Sequence, residues 1–553
     1  MEYNKIMRFR ILISTFLLAM TLALLAFRVP TDNLDPAWAA VGQGISYREF
    51  RLSNPPNHVY VARMEAKNTQ ATLETSIAGG FIATDRETVS SMAERYTDAI
   101  NYWGAETPSR TPAWGTRNQV VAAINGSYWD IRNDPEGVPY NGMVQSGWYA
   151  KRFDDCGGYT GFGWDIFRRP FIGGDIRHIP DKQLIRLPDG STLIFQGINI
   201  PRGEDQTVLY TPQYEAMTPT SETGIEVLVE MERPLLILPA SQAKGIVRAI
   251  HAHKGQTPIP FDHIVISAQG AGESALAALQ PGDSIGVSQE LSPCNPGDPT
   301  PPNSGWNKTY ASLGGHFYFL ANGAIQYEDF QNNKGATVPD PRTAIAFDGG
   351  YTPDNQYTGQ YVYFIVVDGR NPGFSNGMTI EQLAIFARDT LSATYAVAQD
   401  GGGSSTMVIN GEVKNNTYCN NLICDHHLFL PLIHSAPGEE NRLLMPSQST
   451  QSRNAAYQRW VANGIMMVEI KPLEQLTTTL SAGDVVSSTG RVEVRLGPGD
   501  NYAVLSEISA ETLRYGHIVA HTLNGIKAKN AYWWKIDWGE GLIGWSRQEE
   551  LHK

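Results

Sequence analysis

The chain has 553 residues, 42% of them hydrophobic and 10% aromatic, with a formal net charge of -13 and an isoelectric point near 5.4. That length and apolar content allow a large core spread over more than one globular unit, which excludes a disordered or fibrous protein. The acidic balance excludes non-specific nucleic-acid binding, which needs a basic footprint, so any phosphate has to be met by local donors.

At the N-terminus, Lys5, Arg8 and Arg10 precede an uncharged apolar run from Ile11 to Phe27, stopped by Arg28, with Ala37-Trp38-Ala39 further on. Basic flank, apolar core and small-x-small site predict an export segment over residues 1–40. Two readings stay open, a cleaved signal peptide and a single tilted membrane anchor. Either makes the protein extracytoplasmic, secreted or held at the membrane. In such an oxidising setting the four cysteines, Cys156, Cys294, Cys419 and Cys424, suggest disulfides. Three pairings are open in principle; the short gap between Cys419 and Cys424 favours one loop staple, leaving Cys156 with Cys294. With no CxxC pair present, His426 and His427 read as a solvated polar loop rather than a zinc site.

Residues 41–470 form the predicted main domain. From about His58 to Val468 short Val/Ile/Tyr-rich runs alternate with Gly, Pro, Asn and Asp, which predicts a β-rich body. His251 and His253 alternate on one strand and read as surface histidines. One segment differs. The strand-like Tyr361–Val367 ends at Asp368, a turn through Gly369 to Gly377 follows, and Thr379 with Gln382 makes a capping box before an apolar helical face from Ile380 to Leu391. The chain then returns as a strand, Tyr395 to Gln399. This predicts a β-α-β unit, and neighbouring parallel strands would bring Asp368 and Asp400 together at their carboxyl ends, where open α/β sheets place ligands. A linker is expected over residues 471–489. Residues 490–553, with Arg491 to Asp500, Tyr532 to Ile536 and Gly541 to Trp545 as short strands, predict a small all-β barrel. The fold class expected is therefore α+β: a β-rich mixed-sheet domain containing a β-α-β unit, followed by that barrel.

The chemistry concentrates in Asp400-Gly401-Gly402-Gly403-Ser404-Ser405-Thr406. Three residues without a β-carbon let backbone approach a ligand closely and aim successive N–H groups at an anion. No Lys follows the glycines, so this is not a Walker loop. Asp400 and Asp368 make a candidate catalytic pair at a spacing plausible for a glycosidase, although Asp368 before Gly also suits a turn cap. Arg342 and Arg370 can each offer a planar fork to a phosphate diester. Asn125, in Asn125-Gly-Ser-Tyr-Trp129, can orient a sugar hydroxyl, with Tyr128 and Trp129 as stacking faces; an ordinary Asn-Gly turn is the plainer alternative.

Together these phrases, with Gly197 to Ile200, Pro281-Gly-Asp283, Gly314-Gly315, Pro341-Arg-Thr343, Val367 to Arg370 and Val461 to Gly464, resemble the phosphodiester glycosidase family. Departures fall at Ser127, Tyr128-Trp129 and Gln399. The resemblance implies a glycoside hydrolase acting on a sugar-1-phosphodiester of the N-acetylglucosamine-1-phosphodiester type on an extracellular glycan or glycoconjugate. Arg342, the Gly401 to Gly403 amides and Ser404 would stabilise the leaving phosphate, and Asp400 or Asp368 would serve as nucleophile, base or oxocarbenium stabiliser. The C-terminal phrases resemble bacterial Src-homology-3-like domains of wall-associated proteins, which implies a cell-wall ligand. Two rival readings remain: a non-catalytic polysaccharide-binding surface protein, and a phosphodiesterase using a divalent metal held by Asp368 and Asp400. No other cofactor is evident.

Overall fold

The computed structural model describes residues 37–82, 86–98, 116–131, 137–156, 161–173, 176–232, 244–294, 309–354, 356–418, 458–471, 479–528 and 531–553. The apolar run of the export segment, Cys419, Cys424, His426 and His427 lie outside the described residues.

Among these residues β-structure dominates. An eight-stranded sheet runs in the order Ala39–Gly42, Ile45–Ser53, Pro56–Glu65, Tyr361–Val367, Arg342–Phe347, Tyr395–Ala398, Tyr318–Ala321, Ala324–Ile325. Its central strands read as unbroken apolar runs because both their faces are covered. Ile345, Phe347, Phe364 and Val366 face one core, shared with Val121, Ile124, Ile465 and Met467 of a five-stranded sheet. Ala344, Ala346, Ile365 and Val367 face the other, where the helix Ile380–Ile385 packs through Leu383 and Ala384. That helix starts at the expected capping box: the Gln382 N–H donates to Thr379 Oγ1 at 3.1 Å, and the Thr379 N–H donates to Gln382 Oε1 at 2.9 Å.

The β-α-β expectation needs correction in one respect. Tyr361–Val367 and Tyr395–Ala398 run in the same direction but are not neighbours, because Arg342–Phe347 lies between them and pairs antiparallel with both. An earlier strand that is apolar on both faces takes the most buried place in the sheet. The two strand ends are therefore two spacings apart, about 10 Å rather than about 5 Å.

A second eight-stranded sheet, centred on Ile225–Met231 and Lys244–Ala252, contains one parallel pairing, Gly197–Ile198 with Thr207–Tyr210, so the sheets are mixed. The disulfide Cys156–Cys294 is present, with Cα atoms 5.7 Å apart.

The C-terminal strands, from Val485–Ser488 to Leu551–His552, form a small β domain around Val492, Val494, Trp534, Ile536 and Trp538. Its first strand, Val485–Ser488, lies inside the stretch expected as linker and pairs with Tyr515–Ile518. The domain is docked on the body: Trp533 and Trp545 share a core with Phe261, Val229 and Val247, and the Phe261 ring lies 5.7 Å from Tyr502 and 6.0 Å from Trp545. Buried charges cross the same seam. Lys535 Nζ is 3.1 Å from Glu230 Oε1, and His521 Nε2 is 3.2 Å from Asp262 Oδ2, whose other oxygen meets His263. Glu230, Asp262 and His521 are close enough to hold a metal ion. Lys535 and His263 already occupy their carboxylates, so the cluster ties the seam through the Lys535–Glu230 ion pair and the histidine contacts to Asp262.

Candidate active site

Strand register assembles the site. Arg342 pairs with Val367 on one side, and Ala344 pairs with Ala398 on the other. The Gln399 N–H extends that ladder to Thr343 O at 2.8 Å. Asp400 therefore leaves the sheet level with Arg342, and Asp368 leaves it on the far side. Asp400 and Arg342 both open onto a cavity of about 310 Å³, at the small end of ligand-pocket sizes.

Asp400 is 6% exposed. Burial pushes its carboxyl up to about 6, against the Ser404 hydroxyl, Arg459 and the Gly401 N–H, which favour the anion, while Asp340 opposes it. The Ser404 hydroxyl donates to Asp400 Oδ2. A carboxyl ionising near neutrality in a cleft is suited to nucleophilic or general-base work.

The glycine turn behaves differently from the expected row of free amides. Gly402 has φ 62°, a left-handed conformation that glycine tolerates best, and its N–H is spent on Pro341 O at 2.9 Å. The Gly401 N–H serves Asp400. A β-carbon at position 401 would lie 2.8 Å from Pro341 O, and one at 403 would lie 2.9 Å from Tyr418 O. Close backbone packing thus demands these glycines, in addition to their place in the cavity wall. Gly401, Gly402 and Gly403 line the cavity, whereas Ser404, Ser405 and Thr406 are buried behind it.

The two arginines differ. Arg342 is 8% exposed, and three carbonyls hold its guanidinium: Nε donates to Met378 O at 2.7 Å, and Nη2 to Gly335 O at 2.7 Å and Val338 O at 2.6 Å. It has no carboxylate partner among the described residues, so its charge remains available to an anion in the cavity. Arg370, at φ 55°, spends its fork on Asp340, through Nε to Oδ1 at 2.6 Å and Nη2 to Oδ2 at 2.9 Å. The fork expected to meet substrate is thus closed on a carboxylate at the cavity wall.

Asp368 and Asn125 are not on that wall. Asp368 is 2% exposed and accepts from Tyr60 Oη at 2.9 Å, Asn415 Nδ2 at 3.2 Å and the Asn416 N–H at 3.0 Å. Burial raises it to about 6, which those donors only partly offset. It ties the first sheet to the segment after the glycine turn. Asn125 is fully buried; its Oδ1 accepts from Thr343 Oγ1 at 2.8 Å and the Thr406 N–H at 3.2 Å, and its Nδ2 donates to Asp400 O at 2.7 Å. Both ends of the amide are committed, so Asn125 holds the Asp400 turn in place.

Tyr128 is on the wall, 4.9 Å from the His316 ring, while Trp129 is buried behind it. Sequence reasoning passed over His316, Asp340, Tyr418 and Arg459, all of which line the cavity. His316 directly follows Gly314-Gly315, and Gly315 lies against Val397, so a glycine pair before an ionisable residue was the available signal. Arg459 lies outside the motifs and offered none.

In comparisons with known proteins, no curated protein sequence matches the chain. A Synechocystis protein of known structure is similar at 15% identity and TM-score 0.45, over 79% of this chain and 64% of that one. The zebrafish N-acetylglucosamine-1-phosphodiester alpha-N-acetylglucosaminidase catalytic domain, auto-inhibited by its pro-peptide, is similar at 12% identity and TM-score 0.32, over 79% of this chain and 86% of that one. Residues 242–425, which hold Asp340, Arg342, Asp368, Arg370, Asp400 and the glycine turn, match the sequence model of the phosphodiester glycosidase family.

Proposed function

We propose that the chain hydrolyses the glycosidic bond of a sugar-1-phosphodiester, releasing a sugar and a phosphomonoester. One observation carries the reading: a buried carboxyl, Asp400, and a buried guanidinium, Arg342, which has no carboxylate partner among the described residues, share one small cavity. A phosphodiester brings one negative charge, which Arg342 can meet. As the anomeric C–O bond breaks, charge grows on the departing phosphate, and a fixed guanidinium in a water-poor site stabilises it without reorganisation. Asp400, ionised above about pH 6, faces the anomeric centre as nucleophile, as base toward water, or as stabiliser of the oxocarbenium-like transition state. Tyr128 supplies a face for the sugar ring.

A divalent ion shared by Asp368 and Asp400 fits this donor set poorly. The Asp368 oxygens already accept from Tyr60, Asn415 and Asn416, and Asp368 is absent from the cavity wall. Export, a cell-wall ligand for the C-terminal domain and an N-acetylglucosamine substrate belong to the same proposal, supported by the residues set out under Sequence analysis. Hydrolysis of an N-acetylglucosamine-1-phosphodiester in ¹⁸O-water tests the bond broken. A phosphomonoester free of label supports glycosidic cleavage, whereas label in the phosphate would show phosphorus–oxygen cleavage and overturn the reading.

A further inference from the structure

Arg459 reaches the cavity from a part of the chain outside residues 242–425, and its position relative to Asp400 is specific. Its Nη1 donates to Ser404 Oγ at 3.3 Å, and the same hydroxyl donates to Asp400 Oδ2. A guanidinium only donates and a carboxylate only accepts, so the single hydroxyl proton of Ser404 must point to Asp400 while its oxygen accepts from Arg459. The direction of both bonds is thereby fixed.

Backbone and aromatic contacts hold Arg459 in this place. Two residues on, Val461 exchanges both backbone hydrogen bonds with Glu87, each at 2.9 Å, and the following strand, Asn463–Lys471, pairs with Thr116–Asn125. The guanidinium lies 5.3 Å from the ring centroid of buried Trp129. Its Nε is buried and has no hydrogen-bond partner among the described residues.

We propose that Arg459 is a positioning residue for the hydrolysis set out above: through Ser404 it fixes the direction in which the Asp400 carboxyl faces the cavity and favours its anionic form. The inference rests on that reaction for its purpose, and on the Arg459–Ser404–Asp400 chain for its substance. Among the described residues, the other charged or titratable groups lining the cavity with Asp400 are Tyr128, His316, Asp340, Arg342, Arg370 and Tyr418. Removing Arg459 leaves the repulsion from Asp340 less opposed.

The test uses the whole chain and compares Arg459→Gln, Arg459→Lys and Ser404→Ala with the unsubstituted protein. The Asp400 carboxyl is titrated by NMR on ¹³C-carboxyl aspartate, its signal assigned from Asp400→Asn. In Arg459→Gln the titration is expected to move up by about one unit, as loss of a nearby opposite charge does, and Arg459→Lys is expected to restore most of that. Ser404→Ala is expected to move it in the same direction, which keeps the test available if Arg459→Gln does not fold. On an N-acetylglucosamine-1-phosphodiester, kcat is expected to fall by about tenfold or more in Arg459→Gln, its acid limb displaced like the titration, with KM changing less. An unchanged Asp400 titration in folded Arg459→Gln would overturn the proposal. A displaced titration in a protein whose unsubstituted form releases no sugar would preserve the linkage and overturn the reaction it serves.

Discussion

Ionising Asp400 costs the folded chain free energy, because the carboxyl sits almost entirely out of water and its donors only partly replace hydration. Its ionisation lies at about 6 when folded, against 3.8 when exposed. A raised folded value means that the native state keeps a proton which the unfolded chain loses between about pH 4 and pH 6. Stability from this group is therefore fully present below about pH 4 and lost as pH rises through about 6. Two units of displacement correspond to about 3 kcal/mol. Asn in place of Asp400 keeps the shape and an acceptor for Ser404, and never ionises. Asp400→Asn is thus expected to be more stable than the unsubstituted chain by about 2–3 kcal/mol at pH 8 and nearly equal to it at pH 3.5, seen as a higher unfolding temperature at the upper pH alone. Differential scanning calorimetry at the two pH values measures this. A variant less stable at pH 8, or one whose advantage is the same at both pH values, would refute the assignment of Asp400 as a buried, strained anion.

Three further outcomes follow from the contacts. Arg342→Ala removes the donor from the buried Met378 carbonyl and from the more exposed Gly335 and Val338 carbonyls, so denaturant titration is expected to show a loss of about 1–3 kcal/mol, the penalty of one buried group left without a donor; an unchanged midpoint would mean that these bonds do not form. The Gln399 side chain is buried with neither end of its amide hydrogen-bonded to a described residue, so Gln399→Leu is expected to stabilise by about 1 kcal/mol, and a lower unfolding temperature would reveal a bonded amide. Because Trp533, Trp545 and Phe261 share one core, the C-terminal domain and the body are expected to unfold together; two separate calorimetric transitions would contradict a docked domain.

The sequence made local grammar visible and long-range pairing invisible. The capping box Thr379/Gln382 and the strand Tyr361–Val367 follow from side-chain chemistry within a few residues, and both are present. That Arg342–Phe347 would slide between two later strands could not be read locally, because its apolar run suits any doubly covered strand. This one insertion separates Asp368 from Asp400 and seats Arg342 beside Asp400 instead. Asn125 looked like a ligand contact because an amide at a strand end has the right chemistry; its partners, Thr343 and Thr406, lie more than 200 residues away. Arg370 looked free for the same reason, until the fold brought Asp340 against it. Arg459 lies two residues before the phrase Val461 to Gly464 and outside it, and its proximity to Ser404 depends on the pairing of Asn463–Lys471 with Thr116–Asn125.

The most direct test of the central claim is turnover of an N-acetylglucosamine-1-phosphodiester by the purified chain, with Asp400→Asn, shown to be folded, as the control. Free sugar and phosphomonoester in equal amounts from the unsubstituted protein, and none from the variant, is the expected result. Equal release by both, or none from any sugar phosphodiester supplied to the unsubstituted chain, would contradict it.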